Sequence, residues 1–227
     1  MKIVIHGCGG RMGRILSEII TEQNEHTIPF GIDEQNAEGL AFPVYRTLYD
    51  AHEAADVIID FSHYSAIKDL LGWCILNKKP LVIATTNLGE EEHRIIQEAA
   101  KHIPVFQSPN MSVGIHALCK ALPSIVSALG EGFDAGIFEV HHKYKKDVPS
   151  GTAYLLKNCL DQNCRGVSAL RIGSMPGEHR IIFAGQDEVL ELTHTAYSRK
   201  IFALGALRAA AFIADKAPGL YSMDDLV

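Results

Sequence analysis

The first half of the chain alternates short apolar runs with segments whose apolar residues recur at helical spacing. Lys2–His6 is such a run, and the glycine-rich stretch Gly7–Gly13 follows it. Arg11–Thr21 then places Met12, Ile15, Leu16, Ile19 and Ile20 on one helical face. A second strand is expected over Thr27–Ile32, ending at Asp33. Val57–Phe61, Pro80–Ala84 and Ile103–Phe106 read as further strands, with helices over Tyr64–Leu76 and Glu90–Lys101. Strands that are apolar at nearly every position, separated by helices, predict a parallel sheet covered on both faces.

The pattern changes after Pro109. Val113–Leu129 reads as a long helix. From Phe133 the apolar period becomes two, over Phe133–His142, Val167–Gly173, Arg180–Ala184 and Val189–Thr195, with one helix, Ala153–Leu160, among them. That predicts a second α+β domain with a mixed or antiparallel sheet, one face of which could be buried between subunits. Ile201–Lys216 reads as a final helix returning to the first domain. The expected division is 1–112 with 200–227, against 113–199.

Composition narrows the classes. The apolar share is 47%, the charged share 21% and the net charge −6. That is the balance of an ordinary globular protein, and it argues against a general nucleic-acid binder, which needs a basic surface. Met1–His6 is too short an apolar run for a signal peptide. The longest apolar run, Ile201–Ala214, is broken by Arg208 and too short to span a bilayer. Five scattered cysteines without a C-x-x-C pair fit a cytoplasmic chain with reduced thiols and no cysteine metal site.

Gly7-Cys8-Gly9-Gly10-Arg11-Met12-Gly13 lies between a strand and a helix, the context of a dinucleotide fingerprint. Glycines let the backbone approach a pyrophosphate held at the helix N-terminus, and Arg11 adds a cation. Read as Gly7, Gly10 and Gly13, the spacing is the G-x-x-G-x-x-G variant. Asp33 can accept from the adenosine ribose hydroxyls and would repel a 2′-phosphate. Glu34, Gln35 and Asn36 follow with no cation among them, so NADH is favoured over NADPH. Ala84-Thr85-Thr86-Asn87 and Ser108-Pro109-Asn110-Met111 close the fourth and fifth strands, where ligands of doubly wound folds bind.

The densest chemistry runs from Glu139 to Ala153: Glu-Val-His-His-Lys-Tyr-Lys-Lys-Asp-Val-Pro-Ser-Gly-Thr-Ala. His141 suits proton transfer near neutrality, and the lysines can bind carboxylates. Ser150, Gly151 and Thr152 offer hydroxyls and N–H groups at a helix start. Together they point to a small dicarboxylate or other anionic substrate. A zinc site through His141, His142 and Asp147 is disfavoured by the neighbouring lysines and the spacing.

With these motifs in hand, the chain resembles the 4-hydroxy-tetrahydrodipicolinate reductase family of lysine and diaminopimelate synthesis, also called dihydrodipicolinate reductases. The resemblance rests on the glycine loop and the 139–153 stretch. Ser108-Pro-Asn-Met-Ser-Val-Gly, Gly177-Glu-His-Arg, His194-Thr-Ala-Tyr-Ser-Arg and Phe202-Ala-Leu-Gly-Ala also match. It implies a Rossmann-type doubly wound parallel sheet hinged to a sheet domain that forms a homotetramer. It implies hydride transfer from NADH or NADPH to an unsaturated heterocyclic dicarboxylate. His141 would then be proton donor or acceptor and Lys145 proton donor, while His142, Gly151 and Thr152 hold a substrate carboxylate. Gly7 to Met12, Asp33, Ala84 to Thr86 and Ser108 to Met111 would line the cofactor, with Arg199 near its nicotinamide end. Lys143 and Lys146 read as solvated charges. Three departures from the family pattern bear on nicotinamide packing and cofactor preference: Ala84-Thr-Thr-Asn87 stands where Gly-Thr-Thr-Gly is common, Met111 stands where an aromatic is frequent, and the chain is short, which implies trimmed loops. Rival readings are an amino-acid dehydrogenase on the same scaffold and a non-catalytic NAD sensor.

Overall fold

A computed structural model describes residues 1–35, 37–160 and 163–227, so Asn36 lies outside the described residues. They divide into two compact units: Met1–Met111 with Lys200–Leu226, and Ser112–Arg199 with Val227.

The first unit is built on strands β1 (Ile3–His6), β2 (Gly31–Ile32), β3 (Val44–Tyr45), β4 (Val57–Asp60), β5 (Leu81–Ile83), β6 (Pro104–Gln107) and β11 (Gly219–Tyr221). All pair in parallel, in the order β11-β6-β5-β4-β1-β2-β3. Ile3, Val4, Ile5, Val57, Ile58, Ile59, Leu81, Val82 and Ile83 are all fully buried, which is why these segments read as unbroken apolar runs. The helices are α1 (Arg11–Gln23), α2 (Ile67–Asn77), α3 (Glu90–Ala99), α6 (Lys200–Ile213) and α7 (Met223–Leu226). α1 buries Leu16, Ile19 and Ile20, each contributing about 1.5–3 kcal/mol of burial free energy. It ends at Asn24, whose left-handed backbone returns its N–H to Ile20 O. Sequence order reverses at β1, with β2 on one side and β4 on the other. That switch point is where such sheets bind ligands, beyond the strands' carboxyl ends.

Several boundaries differ from expectation, each for a local reason. The strand expected over Thr27–Ile32 shrinks to Gly31–Ile32 plus a bridge from Lys2 to Thr27, because Pro29 has no N–H to give the ladder. The helix expected from Tyr64 starts as a 3-10 turn, Tyr64–Ala66, capped by the His63 side chain. β3 and β11, two and three residues long, were not foreseen.

The second unit holds β7 (Asp134–His141), β8 (Cys164–Arg171), β9 (Gly177–Ala184) and β10 (Val189–Ala196), in the order β10-β9-β7-β8. β7 and β8 are parallel and the other pairs antiparallel, so the sheet is mixed. Helices α4 (Val113–Leu129) and α5 (Gly151–Leu160) share a core with one face of it, where Ile115, Cys119, Leu122 and Leu156 meet Ile137, Ile181 and Phe183. α4 and its following turn are long and apolar enough to cross a membrane by length and composition, but these core contacts account for its apolar side. On the opposite sheet face Leu170 and Val189 are 44% and 61% exposed.

Candidate functional site

The glycine loop crosses the carboxyl end of β4. Gly7 has φ +80, and a Cβ there would stand 2.8 Å from Phe61 O. A Cβ on Gly13 would lie 2.2 Å from Gly7 O, so only glycine lets the first turn of α1 close against the loop. That helix start has Gly10 at its cap, no side-chain cap bond and no acid in its first turn. α3, by contrast, opens on Glu90, Glu91 and Glu92, and α4 is capped by Ser112. An uncapped N-terminus with free N–H groups fits a pyrophosphate. It borders a cavity of about 590 Å³ walled by residues that include Gly7, Gly9, Gly10, Asp33, Arg46, Phe61, Ser62 and His63. A dinucleotide therefore fits this unit. Asp33 accepts from Gly9 N at 2.8 Å and Gln35 N at 3.0 Å, which ties the acid to the loop.

Other expected cofactor residues stand off the cavity wall. Cys8 is fully buried, and burial, with Asp33 nearby, pushes its thiol up to about 11, so it is inert. Arg11 is exposed and Met12 partly so. Ala84 and Thr85 are buried and Thr86 exposed at the end of β5. Ser108 Oγ donates to Asn110 O at 2.7 Å, closing the turn that contains Pro109. Met111 is 2% exposed, and Gly205 of α6 packs so closely on it that a Cβ would lie 1.7 Å from Met111 O. Asn87 has φ +62. Asparagine tolerates that left-handed backbone best after glycine, so the departure noted at this position keeps the turn.

One residue at this end had not been singled out. Asp60, the last residue of β4, is fully buried. It accepts from His6 Nδ1 at 2.7 Å, Ser62 Oγ at 2.6 Å, Ser62 N at 3.1 Å and Thr85 Oγ1 at 2.7 Å. One carboxylate thus joins the ends of β1, β4 and β5, and the Thr85 hydroxyl is committed to it.

In the second unit the 139–153 stretch surrounds another fully buried carboxylate, Glu139. Register sets its neighbours: Glu139 pairs with His179 on β9, and His141 with Arg171 on β8. Glu139 accepts from Ser150 N at 2.9 Å, from Ser150 Oγ, and from Arg171 Nη2 at 2.8 Å. Arg171 Nη2 also donates to Asp147 O at 2.6 Å. Arg171 and Ser150 therefore fasten the 142–150 loop to the sheet through Glu139. His179 Nε2 lies 3.3 Å and His141 Nδ1 3.5 Å from Glu139 Oε2. Lys145 is half-buried and paired with Asp147 at 2.8 Å, whereas Lys143 and Lys146 are exposed. His142 is partly exposed, its carbonyl accepting from Lys145 N at 3.1 Å. Gly151 and Thr152 open α5. Arg199 is the last residue of the 112–199 segment.

Glu139, His141 and His179 have the proximity of a metal triad. Glu139 is nevertheless taken by the serine and the guanidinium, and a cation 2.8 Å from it competes with any metal.

Burial, with Lys145 and Arg171 nearby, pushes His141 down to about 4 despite Glu139. Burial and His141 push His179 down to about 4. Burial raises the Glu139 carboxyl, but Ser150 and Arg171 outweigh it and hold it below its ordinary value. The linkage signs agree. Both histidines bind protons more readily unfolded, with an ordinary value of 6.5, so stability falls as pH drops from about 6.5 to about 4. Glu139 adds a loss as its carboxylate protonates below 4.5. Each histidine contributes on the order of 1–3 kcal/mol. Melting temperature measured from pH 7.5 to 4 should therefore fall, and His179→Gln should flatten the slope; an unchanged slope would remove His179 from the account.

Residues 1–111 match the family model described as dihydrodipicolinate reductase, N-terminus, and residues 114–227 match the one described as dihydrodipicolinate reductase, C-terminus. The chain is 42% identical over 248 residues to a 4-hydroxy-tetrahydrodipicolinate reductase of Caldanaerobacter subterraneus subsp. tengcongensis, covering 100% of this chain and 98% of the relative. It is 39% identical over 244 residues to one of Clostridium tetani, covering 99% and 96%. A solved dipicolinate-bound dihydrodipicolinate reductase from Paenisporosarcina sp. TG-14 has the same fold, with a TM-score of 0.85 at 19% identity over 100% and 99% of the chains. An aspartate dehydrogenase from Thermotoga maritima aligns with a TM-score of 0.57 at 12% identity, over 96% and 98%.

Proposed function

The chain belongs to the dihydrodipicolinate reductase family, and we propose from that premise that its first unit binds a nicotinamide dinucleotide and its second unit holds the substrate carboxylate and a proton donor. The chain is an NAD(P)H-dependent oxidoreductase that reduces 4-hydroxy-tetrahydrodipicolinate to tetrahydrodipicolinate, on the route to diaminopimelate and lysine. The observation that carries our reading is the Glu139-centred clamp, which holds a proton-transfer pair and a hydroxyl-rich helix start in one loop.

A bound dinucleotide would supply hydride to the unsaturated ring that remains once the substrate's 4-hydroxyl has left as water. Gly7 to Met12 and the α1 N-terminus would hold its pyrophosphate, and Asp33 its adenosine ribose, an arrangement that favours the 2′-hydroxyl of NADH. Ala84 to Thr86, Ser108 to Met111 and Arg199 belong to the nicotinamide end in this reading. His142, Ser150, Gly151 and Thr152 bind substrate carboxylate; Ser150 acts through its place in the turn, since its N–H and hydroxyl already serve Glu139. Hydride adds negative charge to the ring, which the Lys145 ammonium stabilises. His141 is neutral near pH 7, so Lys145 carries the proton delivered to the product and His141 relays or accepts it. The open face of the second sheet, with Leu170 and Val189, serves homotetramer assembly. Five free thiols accord with a cytoplasmic setting.

A coupled assay in which a dihydrodipicolinate synthase generates the substrate tests the reading. Oxidation of NADH or NADPH should depend on that substrate and not on aspartate. Turnover of aspartate alone would favour the amino-acid dehydrogenase reading, and nucleotide binding without turnover the sensor.

A further inference from the structure

Gly177 opens β9 and is buried, and its backbone gives no reason for a glycine. It pairs with Ala196 in the β9–β10 ladder and lacks the positive φ of Gly173. Glycine inside a strand weakens it, and its usual meaning there is the close approach of another group. Here that group is His141. β7 and β9 run antiparallel with Val140 opposite Glu178. The next residues along, His141 and Gly177, therefore stand across from each other on one face of the sheet. A Cβ on Gly177 would lie 2.8 Å from His141 Nε2, 3.1 Å from Cδ2 and 3.7 Å from Cε1. The three atoms it would meet first all belong to one ring.

The other sides of that ring are walled. Arg171, paired with His141 on β8, flanks it on the side away from β9 and donates to Glu139 Oε1. His179 meets it edge to face, with ring centroids 5.0 Å apart at 75°. His179 is itself held, its Nε2 lying 3.1 Å from Ser150 Oγ and 3.3 Å from Glu139 Oε2. His141 Nδ1 is turned inward, 3.5 Å from Glu139 Oε2, and is shut off from solvent without a hydrogen-bond partner among the described residues. Proton exchange with a ligand is therefore left to Nε2, the nitrogen that lies over Gly177.

We propose that Gly177 is a positioning residue for proton transfer: the side chain it lacks is the seat of the His141 ring, which turns Nδ1 toward Glu139 and leaves Nε2 to exchange the proton. The inference rests on the reading of His141 as proton donor or acceptor. With Arg171, Glu139 and His179 closing the other sides, a methyl group at position 177 would lift the ring away from the sheet. The lift costs little stability, because a ring tip swings about two side-chain bonds and alanine suits a strand better than glycine. It costs much in catalysis, where misplacing a reacting group by about 1 Å can lower the rate about 10²-fold.

The test uses the full chain in the coupled assay. Gly177→Ala should lower kcat by roughly 10- to 100-fold, with KM within about threefold and Tm within about 4 °C of the wild type. His141→Ala empties the same space by removing the ring. In that background Gly177→Ala should change kcat by less than about twofold, the non-additivity of two residues that act through one contact. Losses that multiply instead overturn the seat. So does a Gly177→Ala kcat within about threefold of the wild type while His141→Ala is impaired, and both results leave His141 in its role. Undiminished turnover in His141→Ala would remove the histidine from proton transfer and the seat with it. If Gly177→Ala melts early, Gly177→Ala/His141→Ala should melt with His141→Ala, because the added Cβ then has no ring to meet. A deficit that persists in the double variant overturns the steric account.

Discussion

Lys145→Met is expected to lower kcat by about 10²- to 10⁴-fold, the usual contribution of a positioned general acid. Dinucleotide Kd should be unchanged, because Lys145 is not among the residues read as holding the pyrophosphate and the adenosine ribose. Asp147 holds the Lys145 ammonium at 2.8 Å, and Arg171 in turn holds the Asp147 carbonyl at 2.6 Å. Lys145, the proposed proton donor, is thereby fixed to the sheet through one loop residue. His141→Gln should also reduce kcat, with a different pH signature. His141 is pushed down to about 4, so a requirement for its neutral form would give the wild type a fall in kcat on the acid side. That limb should disappear in His141→Gln. Loss of kcat in both variants with no change in the acid limb would keep Lys145 as donor and reduce His141 to a packing role. Turnover of Lys145→Met within about threefold of wild type would remove the lysine from proton transfer altogether.

Much of the candidate chemistry of each unit was legible in the chain because it is local. The glycine loop, Asp33, His141, Lys145 and the Ser150–Thr152 turn all lie within short contiguous stretches. The parallel sheet was legible for a related reason: strands buried on both faces have no polar face to confuse the period. What escaped depended on register. Arg171 and His179 reach Glu139 only because β8 and β9 flank β7 at particular offsets, and nothing local in a sequence encodes an offset between strands. A boundary error added to this. The expected strand began at Arg180, whereas β9 begins at Gly177, so His179 stood outside the pattern that would have turned it inward. Asp60 did carry a readable signal, an acid closing a wholly apolar strand. Arg46, on the wall of the first unit's cavity, carried none, since β3 is two residues long and too short for periodicity to show.

Glu139→Ala should be the most damaging single substitution in the second unit, because it leaves a charge behind. The Arg171 side chain is 14% exposed, and stripping a partly buried guanidinium of its partner costs about 3–5 kcal/mol. For a chain of this size that lowers Tm by roughly 6–20 °C. Ser150 would at the same time lose the acceptor for its N–H and keep only His179 Nε2, 3.1 Å away, as partner for its hydroxyl, loosening the turn that opens α5. Stability and substrate binding should therefore fall together, and a second variant separates them. In Glu139→Ala/Arg171→Met no buried charge is left unpaired, so much of the lost Tm should return, since removing both partners of a buried pair is often close to neutral. The KM for the dicarboxylate should remain high, because the ties that Glu139 and Arg171 give the 142–150 loop are then both gone. Recovery of both Tm and KM would show that Glu139 serves only to neutralise Arg171. Recovery of neither would show that the Ser150 contacts, not the ion pair, carry its stabilising effect. Restored Tm with persistently raised KM is the result the geometry predicts, because one carboxylate both compensates a cation and positions a substrate loop, and only the first task disappears with the cation.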